Sequence, residues 1–443
     1  MTRPRALGTA VAVLTLVTAV GAAQVPQGLD TFDAAWRIVR DSYYDTSMNG
    51  VNWDAVRTEL RPRAAAAPTN GELRAVIRDM IGRLGQSHFA LIPSSADAPA
   101  ASSSSLSGDL SGDPGFDVRL VGPDLLVTSV DPNGGGAQAG VRTGWRLSAI
   151  GGKAVTDLLR ALPEGANDRL LNVEAWRIAE TRLRGPVGSR ADVAFEDGRG
   201  QTVALSVARN PEHGQPVTVG NLPTMFVRVE SESRKTPQGK TAGLIGFNVW
   251  MTAVDSPFQQ AIDRFRGADG IIIDLRGNPG GLAGMMMGIS GHFIGERTAL
   301  GVMKTRDNEL RFTVNPRLVN SRGERVSTYA GPVAILVDAM SGSASECFTG
   351  GMQSLGRARV FGQVSMGQAL PALFDRLPNG DVLIHAYGDF VTATGVRLEG
   401  RGVVPDHLVP LKRDDLLAGR DAPLDAALAW IDTAPGPSHE AIR

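Results

Sequence analysis

A single cysteine, Cys347, stands in a chain of 443 residues. That excludes an intramolecular disulfide framework, a Cys-x-x-Cys redox pair and a thiolate zinc cluster. Histidine is scarce as well: there are six, none in His-Glu-x-x-His spacing. Neither a metal nor an organic cofactor is expected. No charge predominates, since 45 Lys+Arg face 46 Asp+Glu without a long run of either sign. The electrostatic footprint of a nucleic-acid-binding protein is therefore missing. Past the N-terminus no stretch is apolar enough to cross a bilayer.

What is present is ordinary globular material, 42% hydrophobic and 21% charged, with 53 Gly and 26 Pro. At ~150 residues per domain, about three domains are expected. Residues 1–23 read as a secretory signal: Arg3 and Arg5, an apolar run over 6–20, then Gly21-Ala22-Ala23 for cleavage. An exported protein, periplasmic or extracellular, is expected, with no membrane insertion after cleavage. The alternative is an uncleaved anchor.

Residues 24–94 read as a helical subdomain. Leu29, Phe32, Trp36, Val39 and Tyr43 recur at helical spacing, as do Trp53, Val56 and Leu60. Thr69 with Glu72 signals the start of a third helix, which Gly85 can stop before the loop Gln86-Ser87-His88. Residues 95–114 are a Ser-rich linker expected to be flexible. Residues 115–209 carry short strand-like runs at 116–121, 125–130 and 146–150. Residues 215–435 alternate buried strands (242–249, 270–275, 333–337, 359–361) with helices near 257–265, 284–293 and after Ala344, which argues α/β. Residues 436–443 form a tail.

Two junctions in that last unit can carry chemistry. Asp274-Leu275-Arg276-Gly277-Asn278-Pro279-Gly280-Gly281 runs from a strand into a glycine-rich turn. Such a turn either cradles an oxyanion or is only a tight turn. Pro279 breaks the dinucleotide fingerprint, and no Gly-Lys-Ser/Thr follows. Ser341-Gly342-Ser343-Ala344-Ser345-Glu346 sits where a strand becomes a helix. Ser343 is either a helix cap or a nucleophile at the positive helix end.

In this order the motifs resemble the tail-specific, or C-terminal-processing, serine proteases. Gly115-Phe116-Asp117-Val118 with Ala137-Gln138-Ala139-Gly140-Val141-Arg142-Thr143-Gly144 looks like their PDZ domain, although Trp145 replaces its usual Asp. The resemblance implies an α/β fold with a crotonase/ClpP-like ββα core, an N-terminal helical subdomain and an inserted β-rich PDZ domain at 115–209. It implies a serine endopeptidase acting on polypeptides. Ser343 would form an acyl-enzyme, the amides of Gly281 and Ala344 an oxyanion hole, and Gly115, Phe116, Asp117 and Val118 the peptide-binding loop.

One departure matters. The Ser-Lys branch has a lysine 25 residues after the nucleophile, and here that position is Gln368. Either activity is lost or the base lies elsewhere. Leu84-Gly85-Gln86-Ser87-His88 resembles the tricorn-type branch, which uses a Ser-His-Ser-Glu tetrad. That resemblance makes His88 the general base, Ser87 its orienting partner, and Glu399 of Glu399-Gly400-Arg401-Gly402-Val403-Val404-Pro405-Asp406 the group holding Ser87. The rivals are an inactive scaffold with a PDZ role and an apolar-ligand binder on the same core.

Overall fold

A computed structural model describes residues 27–94, 111–160, 162, 168–220 and 224–434. The signal at 1–23, the linker over 95–110 and the tail at 436–443 lie outside the described residues.

Three helices open the fold: α1 (Gln27–Ser42), α2 (Trp53–Ala66) and α3 (Asn70–Gly82). Asn52 caps α2 by accepting from the Ala55 amide, and Thr69 caps α3 through the Glu72 amide. The apolar faces read from the sequence pack together. Phe32, Val39, Tyr43, Leu60, Ile77 and Met80 are fully buried. This core is shared, because Leu370, Leu377, Leu383 and Ala386 from far along the chain complete it. The chain leaves α3 through Ser87-His88 into β1 (Ala90–Ile92), which pairs with a later strand, Val382–Ala386.

Next comes a β-rich unit: β2 (Phe116–Val121), β3 (Asp124–Val130), β4 (Arg146–Ile150), β5 (Arg190–Glu196) and β6 (Thr202–Ala208). They pair in the order β2-β3-β4-β5-β6, leaving β2 at the sheet edge. Helix α4 (Asp168–Leu183) packs on this sheet through Ala175, Ala179 and Leu183. The sequence reading gave only strands here. Helical spacing is present in α4, but Glu174, Arg177, Glu180 and Arg182 dilute it. Gly112–Asp113 pairs with Asn210–Pro211, so the last residues read as flexible linker are tied into a strand pair.

A second large sheet contains β7 (Val229–Lys235), β8 (Thr241–Phe247), β9 (Gly270–Asp274), β10 (Val333–Val337) and β11 (Arg359–Gly362), in that order. Neighbours from β8 to β11 are parallel. Helices cover both faces, so β9 and β10 are nearly continuous apolar runs: Ile271, Ile272, Ile273, Ile335 and Leu336 are all fully buried. Each such side chain contributes about 1.5–3 kcal/mol of burial. Trp250, Met251 and Cys347 lie in this core. The glycine turn leaves the C-terminal end of β9 and the serine loop that of β10. Parallel pairing of β9 with β10 therefore places the two loops side by side.

Candidate active site

Ser343 stands immediately before α5 (Ala344–Ser354) with φ 51 and ψ −117. An ordinary N-cap residue has extended backbone, so capping alone does not account for this conformation. A serine in the left-handed region costs of order 1–3 kcal/mol and persists only when its surroundings impose it. Four described residues other than glycine have positive φ, and two of them are Ser343 and His88 (φ 59).

The surroundings that impose it are visible. Ser343 donates its amide to the Gln368 carbonyl at 2.9 Å and to Glu346 Oε2 at 3.1 Å. Glu346 is fully buried and also accepts from Ser365 Oγ (2.5 Å) and from the amides of Gly367 (2.6 Å) and Gln368 (2.9 Å). Burial pushes its carboxyl up to about 7, against four donors that favour the charged form.

The glycine turn abuts the serine. Gly280 has φ 106, and a Cβ there would stand 2.6 Å from Ser343 Cβ and 2.9 Å from the Ala344 amide nitrogen. Only glycine permits this approach. Gly281, φ 140, packs in the same way against the Trp250 carbonyl. Asn278 fixes the turn by donating to Phe247 O and accepting from the Gly280 amide. Both candidate oxyanion-hole positions, Gly281 and Ala344, are thus brought to this junction.

Asp338, at the end of β10, holds the two loops together. It accepts from the amides of Gly277 (2.9 Å) and Met340 (3.0 Å) and from Ser341 Oγ (3.2 Å). Its other oxygen pairs with Arg119 of β2 at 3.1 Å, and Arg119 also pairs with Asp117 at 2.6 Å. Arg119 and Asp338 escaped the sequence reading; the only signal was an acid directly after a buried strand.

The histidine cluster assembles across the fold. His88 Nδ1 lies 2.8 Å from Ser87 Oγ. The Ser87 hydroxyl donates to Glu399 Oε2 at 2.9 Å, and its amide donates to Oε1 at 3.0 Å. Glu399 also accepts from the Ala369 amide at 2.8 Å, tying it beside Gln368. With the Ser87 hydroxyl donating to Glu399, Nδ1–H donates to Ser87 Oγ, which leaves Nε2 as an acceptor. Desolvation pushes His88 down to about 4. His88 and Gln368 line one cavity of about 260 Å³, with Asp117, Arg119, Val173, Trp176, Gly277, Pro279, Met340 and Met366. The Ser343 amide donates to the carbonyl of one lining residue, Gln368. Among the described residues no hydrogen bond joins His88 to Ser343.

In the β-rich unit, Gly115 has φ 76 and its carbonyl accepts from the Asp131 amide. Phe116 and Val118 are buried, and Asp117 accepts from the Trp176 indole at 3.1 Å. Trp145, in place of the expected acid, packs on Phe195. Among the described residues no cluster of His, Cys, Asp and Glu is arranged to hold a metal ion.

Residues 241–409 match peptidase family S41, and residues 29–82 match the tricorn protease C1 domain. A carboxyl-terminal-processing protease of Picosynechococcus is 25% identical over 391 residues, covering 85% of this chain and 82% of the relative. Tricorn protease homolog 1 of Streptomyces coelicolor is 26% identical over 415 residues, 90% of this chain but only 34% of the relative. Two solved structures share the fold at a TM-score of 0.58. They are the photosystem II D1 C-terminal processing protease (21% identity, 91% of this chain, 97% of that one) and mature CPAF (13%, 92% and 95%).

Proposed function

From a chain that carries the serine-peptidase domain of family S41 behind a tricorn C1-type helical unit, we propose an exported endopeptidase that works through Ser343, His88, Ser87 and Glu399. The single observation that carries this reading is the Glu399–Ser87–His88 relay, which stands where a lysine is missing at Gln368. Ser343 Oγ attacks the scissile carbonyl while His88 Nε2 takes its proton. The relay orients the ring and stabilises the imidazolium that forms. The tetrahedral oxyanion lies against the Ala344 and Gly281 amides at the positive end of α5. His88 then protonates the leaving amine, and water repeats the sequence on the acyl-enzyme.

The core is read as crotonase/ClpP-like and the β-rich unit as a PDZ domain. Its edge strand β2 accepts a polypeptide by strand addition beside the Gly115 loop. Support comes from the place of β2 at the edge of its sheet among the described residues and from α4 beside it, both contributing side chains to the cavity that His88 lines. Export rests on the signal-like residues 1–23. Among the described residues no helix is long and apolar enough to cross a membrane.

The test is labelling with a serine-directed fluorophosphonate, followed by peptide mapping. Modification at Ser343 that is lost in Ser343→Ala, together with cleavage of casein, is expected. A folded wild type that neither reacts nor cleaves would establish the inactive scaffold instead.

A further inference from the structure

We propose that the cavity beside His88 is a side-chain pocket selecting a medium-sized apolar residue next to the scissile bond, with Val173 and Trp176 of the β-rich unit setting its size. The inference rests on the peptidase reading above and names what that site accepts.

The lining carries the argument. Val173 and Trp176 come from α4, Pro279 from the glycine turn, and Met340 and Met366 from the loops flanking Ser343. These five make an apolar wall next to His88. Among the polar groups, Arg119 is engaged by Asp117 (2.6 Å) and Asp338 (3.1 Å), and Asp117 also takes the Trp176 indole (3.1 Å). Their charges are compensated within the protein. A charged substrate side chain entering here loses water and gains no partner, which is costly. The two methionines are unbranched and adaptable, so several apolar shapes fit. A volume of about 260 Å³ gives room beyond alanine.

The pocket is built across two units. α4 is held over it by Arg169, whose guanidinium donates to the carbonyls of Gly400 and Arg401, directly after Glu399. The Trp176–Asp117 bond holds its middle. Substrate selection is therefore tied to docking of the β-rich unit, and an isolated core domain lacks two of the five walls.

The experiment uses the full chain and a peptide series varied at the two residues flanking the scissile bond. At one of these positions Leu or Met should exceed Asp or Lys by at least tenfold in kcat/KM, as a matched apolar pocket allows. Trp176→Ala should shift preference at that position toward Phe and Trp. Val173→Phe should shift it toward Ala. Trp176→Phe keeps the apolar wall without the indole bond and should retain the wild-type preference, which separates pocket shape from α4 docking. Cleavage with an unchanged ratio in both resizing variants overturns the pocket alone. A wild type that cleaves no member of the series overturns the pocket together with the peptidase reading.

Discussion

Glu399 lies 312 positions after Ser87, yet its two carboxylate oxygens accept from both the amide and the hydroxyl of that serine. A loop between α3 and β1 is thereby fixed to the loop that follows the core strands. The imidazole of His88 is the next group in line, at 2.8 Å.

Removing either outer member of this relay should weaken the base without deleting it. Ser87→Ala and Glu399→Gln are each expected to lower kcat about 10- to 100-fold with little change in KM. A larger loss in Glu399→Gln is consistent only if the melt also falls, since Glu399 holds the Ala369 amide. Steady-state kinetics beside thermal melts check this.

Two desolvated groups should tilt stability against pH in opposite directions. His88 falls from 6.5 to about 4 on folding, so between those values the unfolded chain binds more protons and stability rises with pH. Glu346 rises from 4.5 to about 7, so over that window the folded chain binds more and stability falls as pH rises. Urea denaturation from pH 4 to 8 should lose the first slope in His88→Ala and the second in Glu346→Gln.

Asp338 should be more sensitive than its absence from any motif suggests. It is buried, joins both active-site loops and meets Arg119. Breaking a buried pair by removing one partner costs about 3–5 kcal/mol. Arg119→Ala is expected to lower the urea midpoint markedly and to reduce kcat. The paired change Arg119→Met with Asp338→Asn should recover stability better than activity, because the Gly277 and Met340 amides still lose their carboxylate. Denaturation midpoints and kcat for the two variants, each against wild type, decide it.

Much of this was legible in the residues. The three N-terminal helices follow from apolar spacing and, for the third, from the cap at Thr69. The parallel strands follow from continuous runs such as Ile271-Ile272-Ile273, because a strand buried on both faces needs no alternation. Ser343, His88, Ser87 and Glu399 came from motif order, and the structure places the last three in contact. What stayed hidden is what depends on side chains meeting across the fold. Arg119 and Asp338 are 219 positions apart, and no local pattern marks their pairing. Helix α4 hid behind its own charges, and with it Val173 and Trp176. Glu346, three residues after Ser343, fits a capping box in the sequence, and only its burial among four donors reveals a hub. An imidazole in an ordinary environment titrates near 6.5. Desolvation moves it lower, which no linear reading supplies.

The central claim is that His88 replaces the missing lysine as the base for Ser343. It is tested most directly by the pH dependence of the fluorophosphonate reaction rate at Ser343, in wild type, His88→Ala and Gln368→Lys, each shown folded by thermal melt. The account predicts a wild-type rate rising through the acidic range, with a midpoint below that of an ordinary imidazole, and flat from neutral to pH 9. His88→Ala should be slower by about 10³-fold or more, and Gln368→Lys should leave the limb in place. A folded His88→Ala that reacts at the wild-type rate, or a wild-type limb with its midpoint above pH 8, would contradict it.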